Sequence, residues 1–296
     1  MARKKRTFRM GKTTLKNPVI TASGTFGFGG ELKSLLDVNE LGGIIPKTIT
    51  LLPREGNLPP RVYDLGFGIL NSIGLNNPGL DVFIKEYIPF LEKLRTKVFI
   101  SIYGENLREW KKLISSLDKY RIAGFELNLS CPNIKGELIS ADKNKAFNLI
   151  KALRGLTRKT LIAKLSFSPN LKEISLSAEK AGADAVCLIN TLPAMAMDRK
   201  TRKPVLGNIT GGLSGPCIKP VALRAVYEVS PAVKISVIGC GGIMSAGDVK
   251  EFLSAGACAV EIGTANLAVP SASLKIIKEL SKCNLRGRTA NGAFGI

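Results

Sequence analysis

Asn128-Leu129-Ser130-Cys131-Pro132-Asn133 places two amides, a hydroxyl and a thiol at the end of an apolar run through Phe125-Glu126-Leu127. A thiol takes and gives protons, and flanking asparagines hold a planar amide or a carboxylate through paired hydrogen bonds. The proline closes the run, because it has no N–H to offer a strand ladder. The same hexapeptide also reads as a strand end whose polar groups merely satisfy a turn, with Cys131 a small buried hydrophobe. The chain contains no histidine, which removes the usual general base and the commonest metal ligand together. Proton chemistry then falls to Cys, Lys, Tyr or a carboxylate, and Cys131 gains weight.

Other groups with chemical capacity stand at the ends of further apolar runs: Ser23, Lys47, Lys164, Asn190-Thr191, Gly241-Gly242 and Gly263-Thr264. Glycines in such places let backbone N–H groups approach a phosphate, although each pair alone also reads as a tight turn. Lys164 lies between Ile162-Ala163 and Leu165, where an unpaired ammonium is costly. It either pairs with a carboxylate or faces a ligand anion, and the ligand is the favoured reading. The six cysteines, at 131, 187, 217, 240, 258 and 283, include no Cys-x-x-Cys pair. That spacing supports neither a zinc site nor a self-contained iron–sulfur cluster.

The elements that must position these residues alternate. Strand-like apolar runs are expected at 19–24, 44–49, 98–102, 125–129, 161–165, 185–190, 235–238 and 260–263. Between them lie helical patterns at 81–94 (with a break or kink at Pro89), 107–117, 146–156, 171–181, 221–229, 248–255 and 274–280. Asn106 with Glu109 marks the start of the second of these, and Leu107, Trp110, Leu113, Ile114 and Leu117 form its apolar face. Gly182 is placed to end the helix before it. Apolar strands separated by helices imply a parallel sheet covered on both faces, and eight units in 296 residues fit a single closed (β/α)8 TIM barrel spanning 1–296. An open doubly wound sheet is the competitor, but its Gly-x-Gly-x-x-Gly turn is missing. In such barrels the active site lies at the C-terminal ends of the strands. The two longest connections follow the second and sixth strands and read as functional lids. The first contains a hairpin and loop over 68–79 and the second contains 208–216.

Composition bounds the rest. Hydrophobic content of 45% with 15 prolines is globular. The net charge of +20, from 43 basic and 23 acidic residues, would attract phosphate-bearing cofactors or acidic partners. Aromatics are only 6%, with no basic stripe interleaved among them, so nucleic-acid binding is not expected. No apolar run approaches membrane length and the basic start lacks a secretory apolar segment, so a cytoplasmic protein is expected.

With these residues placed, the chain resembles class 1 dihydroorotate dehydrogenases, and among them the B-type catalytic subunit. The resemblance rests on 17–29, Lys47-Thr48-Ile49-Thr50, Pro53-Arg54-Glu55-Gly56-Asn57, 70–79, the hexapeptide at 128–133, Asn190-Thr191, 208–220, Gly241-Gly242 and Ile262-Gly263-Thr264-Ala265-Asn266. These stretches run nearly the whole chain in family order. The resemblance implies oxidation of dihydroorotate to orotate on FMN, in pyrimidine synthesis. Cys131 would remove the C5 proton while a hydride leaves C6 for the flavin. A free thiol with a pKa of about 8.5 is only about 3% thiolate at pH 7, so the site must favour deprotonation or act from that fraction. Lys47, Asn71, the turn Ser72-Ile73-Gly74-Leu75, Asn128, Asn190 and Thr191 would hold the pyrimidine ring and its carboxylate. Lys164 would lie by the flavin's pyrimidine edge, Gly241, Gly242, Gly263 and Thr264 would cradle its phosphate, and Ser23, Lys47, Thr48, Asn128, Ile189 and Gly215 would line the remainder. The same resemblance implies a homodimeric core and a separate iron–sulfur and FAD subunit that takes electrons on to NAD. The alternatives are an A-type enzyme using fumarate and a dihydropyrimidine dehydrogenase-like enzyme. Departures from the family pattern are Gly136-Glu137 in place of paired glycines, Ser166-Phe167 inserted after Lys164-Leu165, and a short C-terminus.

Overall fold

In the computed structural model of the chain, residues 8–31, 36–129 and 142–282 are described. Eight parallel strands close into a barrel. They are β1 (Val19–Thr21), β2 (Gly43–Ile44), β3 (Lys97–Ile102), β4 (Gly124–Asn128), β5 (Thr160–Leu165), β6 (Ala185–Leu188), β7 (Ser236–Cys240) and β8 (Ala259–Ile262). Each pairs with its sequence neighbours, and β8 returns to β1 in the register Glu261↔Ile20. The expected barrel and all eight strands are present.

Helices fill the outer layer. α1 (80–91) follows β2, α2 (Leu107–Leu117) follows β3 and α3 (Lys143–Arg154) precedes β5. Then come α4 (Leu171–Ala181), α5 (Lys219–Val229), α6 (Ala246–Ser254), the short α7 (Thr264–Ala268) and α8 (Ala272–Lys282). α2 begins as its sequence promises, with the Asn106 side chain accepting from the Glu109 N–H. It buries Trp110, Leu113, Ile114 and Leu117, while Leu107, expected on that face, lies in the first turn and stays exposed. α4 ends at Gly182 in the left-handed region, φ 100°.

Two expectations change in detail. Pro89 does not break α1. The segment Phe83–Tyr87 widens into a π turn, with the Ile88 N–H bonding to Phe83 O. That shift accommodates a residue with no N–H and a ring that would clash with the preceding turn. The strand expected over 44–49 is only Gly43–Ile44, because Pro46 cannot donate to a ladder. The chain regains the sheet at a single bridge, Ile49 to Ile102.

Two further pieces cap the barrel. An antiparallel hairpin, Phe8–Met10 with Thr13–Leu15, turns at Gly11 and was not anticipated from the basic N-terminal sequence. Its Met10 and Leu15 join Ile20, Ile45, Phe99, Ile162, Ala185, Ile238 and Ala259 in the barrel interior, so the barrel is filled. Beyond the strands' C-terminal ends, the two long connections meet in one four-stranded antiparallel sheet. Its order is Leu192–Ala194, Gly211–Ser214, Ile69–Asn71 and Val62–Asp64. The two expected lids are therefore one structure, held by the register Gly212↔Asn71. No helix among the described residues is long and apolar enough to cross a membrane.

Candidate active site

A cavity of about 230 Å³ lies between the barrel's C-terminal ends and this sheet. Its wall takes in the ends of most strands: Ser23 after β1, Lys47 and Thr48 after β2, Asn128 of β4 and Lys164 of β5. Ile189, Asn190 and Thr191 follow β6, Gly241 and Gly242 follow β7, and Gly263 and Thr264 follow β8. The sheet supplies Asn71, Gly215 follows its strand Gly211–Ser214, and the turn after Asn71 supplies Ile73, Gly74 and Leu75. Seventeen of the residues expected from sequence are thus gathered round one space. Ser72 is not. It is fully buried, and its hydroxyl accepts from Asn57 Nδ2 at 2.7 Å. Cys131 lies outside the described residues, three positions after Asn128.

One side of the cavity suits a phosphate. Gly241 and Gly242 have φ of 125° and 71°, backbone that side-chain-bearing residues rarely adopt. A Cβ on Gly242 would stand 2.8 Å from Lys219 N and 2.9 Å from Gly215 O. Close approach of a ligand to backbone is what such a turn permits. Thr264 Oγ1 donates to Ser214 Oγ at 2.9 Å and ties the end of β8 to the covering sheet.

The wall also carries a positive charge and amides. Lys47 Nζ donates to Asn76 Oδ1 at 2.9 Å and sits 5.6 Å from the Phe28 ring centroid. Asn76 is itself held by donating from Nδ2 to Glu55 O at 2.9 Å. Burial lowers the Lys47 pKa, Glu31 opposes this and Arg61 adds to it. Asn128 Nδ2 donates to Thr48 Oγ1 at 3.2 Å, and Thr48 shares a 2.9 Å hydrogen bond with Ser101. Among the described residues, Asn128 Oδ1 is buried with no hydrogen-bond partner, an acceptor left for a ligand donor. Leu75, on the wall, has φ 55°, a strain typical of ligand-holding turns.

The floor is a cluster that sequence reading missed. Lys164 is 3% exposed, and its Nζ lies 2.6 Å from Glu261 Oε2 and 3.4 Å from Glu126 Oε2. The ammonium therefore pairs with carboxylates and also borders the cavity, two roles set against each other in the sequence reading. Burial opposes its charge, but Glu126 and Glu261 outweigh burial and hold its pKa well above the usual lysine range. Burial and then Glu126 push the Glu261 carboxyl well up. Register explains the convergence, since Cys187 pairs with Lys164 and Cys240 with Glu261 on neighbouring strands. Donor atoms of Cys187, Cys240 and Glu261 lie within 4.8 Å of one another. Such a set suits a thiophilic cation, but the Lys164 ammonium already supplies the positive charge there. The missed signal was an acid inside an apolar strand: Glu126 between Phe125 and Leu127, Glu261 between Val260 and Ile262.

A family model described as dihydroorotate dehydrogenase matches residues 7–283. Among curated relatives, the dihydroorotate dehydrogenase B (NAD(+)) catalytic subunit of Thermodesulfovibrio yellowstonii is 49% identical over 280 residues, covering 93% of this chain and 92% of that protein. The protein of the same name from Geotalea uraniireducens is 50% identical over 266 residues, 88% and 87% of the two chains. Among solved structures, the Eimeria tenella DHODH in complex with ferulenol matches with a TM-score of 0.77 at 22% identity, over 93% of this chain and 83% of that one.

Proposed function

Since the chain belongs to the dihydroorotate dehydrogenase family and so oxidises dihydroorotate to orotate in pyrimidine biosynthesis, we infer that its cavity takes FMN and the pyrimidine ring together. The observation that carries this reading is the pairing, in one space, of the glycine cradle after β7 with Lys47 and the amides. The residues fit the cofactor: backbone at Gly241 and Gly242 is open to a phosphate, and the unpartnered Asn128 Oδ1 accepts from a ring N–H. When bound, FMN supplies the hydride acceptor.

The chain's own residues do the remainder. Gly241, Gly242, Gly263 and Thr264 hold the phosphate, with Ser23, Thr48, Ile189 and Gly215 along the rest of the cofactor. Lys164 presents a fixed charge at the floor. Lys47 attracts the substrate carboxylate, and Asn71, Asn128, Asn190, Thr191 and the turn through Leu75 orient the ring by its amide edges. The Asn71 amide is steadied by donating to Gly212 O at 3.2 Å. Cys131 takes the proton from C5. Closing this space beneath the four-stranded sheet excludes water from the reacting carbon.

Electrons leave to a separate iron–sulfur and FAD subunit and pass to NAD. The chain itself forms a homodimer in the cytoplasm and is a single barrel domain over 1–296. The test is anaerobic titration of the purified chain with dihydroorotate. A flavin spectrum that bleaches stoichiometrically supports the reading, and a chain without bound flavin, or one whose flavin ignores dihydroorotate, refutes it.

A further inference from the structure

Among the described residues, the floor cluster contains one cation and two carboxylates, with no second cation paired to them. Lys164 comes from β5, Glu126 from β4 and Glu261 from β8, and all three are at most 3% exposed. Among the described residues, both Glu126 oxygens and Glu261 Oε1 have no hydrogen-bond partner. With every group ionised the cluster would hold a net charge of minus one on side chains that are almost wholly buried. An uncompensated buried charge is the costliest arrangement a fold can keep, and a carboxyl in that position takes up a proton instead.

The other groups facing this cluster do not relieve it. Cys187, from β6, has its thiol pushed up by burial and stays neutral. Cys240, from β7, is drawn down by its hydrogen bond with Cys187, and a thiolate there would only add negative charge. Ser23, 3.5 Å from Lys164 Nζ, is neutral. The surplus must be settled between the two carboxylates.

We propose that Glu126 and Glu261 hold a single proton between them, so that with Lys164 they form a group of zero net charge under the cavity floor. Both acids face the one ammonium, Glu261 Oε2 at 2.6 Å and Glu126 Oε2 at 3.4 Å, so one positive charge balances only one carboxylate. The effect on the reaction rests on the FMN reading above. The cluster then neither repels nor attracts the cofactor by net charge, and the Lys164 ammonium acts on it only as one end of a buried dipole. Glu126 and Glu261 are positioning residues for that ammonium, acting through Lys164 on whatever occupies the cavity.

The primary test needs no variant and no flavin chemistry. Infrared spectra of the full chain as purified, with and without glutamate carrying a 13C side-chain carboxyl, are taken at pH 7 in H2O and D2O. A protonated carboxylic acid band that moves with both the label and the solvent is expected, and its absence overturns the proposal. Glu261→Gln and Glu126→Gln should each abolish the band, because the remaining acid then pairs with Lys164 as a carboxylate. Persistence of the full band in both variants also overturns it. Glu261→Gln replaces a protonated pair by a neutral amide and an ion, leaving the net charge unchanged. The flavin's two-electron reduction equilibrium should therefore change less than tenfold, about 30 mV in midpoint potential, and a larger rise means that both acids were ionised. A chain that binds no flavin fails the earlier reading but leaves the infrared result to decide this one.

Discussion

Lys47 is partly buried against Phe28, and its ammonium donates a hydrogen bond to Asn76. Burial favours the uncharged amine, so the free enzyme loses this proton at lower pH than the ordinary lysine value of 10.5. Only the charged form attracts the substrate carboxylate. KM for dihydroorotate is therefore expected to rise on the alkaline side, beginning below the pH at which an ordinary lysine titrates, with kcat changing less. A KM that stays flat through that range would show that Lys47 does not meet the carboxylate. Cys131 calls for a different readout. Cys131→Ala should keep bound FMN and lose roughly 10²–10⁴-fold in flavin reduction by dihydroorotate, the usual contribution of a general base. Cys131→Ser should recover activity mainly at high pH, since a hydroxyl is a poor base at neutrality. Stopped-flow reduction of the two variants checks both, and a near-native rate for the alanine variant at pH 7 removes Cys131 from the mechanism.

The elements matter through their ends. The turn after β7 brings Gly241 and Gly242 against the start of α5, where Lys219 is fixed by Asp248 at 2.6 Å. Asp248 also closes the capping box of α6 with Ser245, so the turn lies between two helix starts. A methyl group at Gly242 would meet both a positive φ and backbone atoms within 3 Å. Gly242→Ala is expected to purify folded but with most of its FMN lost, read as the flavin-to-protein absorbance ratio. Full flavin content in that variant would place the phosphate elsewhere. The covering sheet works similarly. Each long connection folds into its own two-stranded hairpin, and the two hairpins pair edge to edge, which places Asn71 beside Gly212.

At the scale of the molecule, electrons must leave. The described residues include no second redox centre, and the sequence carries neither cluster spacing nor a dinucleotide turn. The chain alone should reduce an artificial dye with dihydroorotate and should not reduce NAD. Efficient turnover with fumarate would instead mark an A-type enzyme, and direct NAD reduction would dispense with the partner subunit. The net charge of +20 favours an acidic partner, so the rate of coupled NAD reduction on adding the electron-transfer subunit should fall with rising salt. A salt-independent rate would leave that charge without a part in docking. Leu58, Phe67, Met195, Met197 and Ile209, on the two connections that build the covering sheet, are exposed.

Periodicity and strand-end chemistry by themselves determined the barrel, since apolar runs alternating with amphipathic helices have one economical parallel closure. They also determined most of the cavity wall, because a barrel sends its strand ends to one side whatever the loops do. Identical spacing could not separate Ser72 from its neighbours. Whether a residue of a turn faces ligand or core depends on a partner such as Asn57, contributed by another part of the chain. Nor could it find the acids around Lys164. A lone lysine in an apolar strand announces that something must balance it, but which strands place Glu126 and Glu261 within reach is fixed by closure, when β8 meets β1 and the inward-facing residues of five strands share one interior. Sequence lays down what each strand offers. Only the closed barrel decides which offers meet, because the energies that matter there, burial and charge pairing at a few ångströms, exist between residues far apart along the chain.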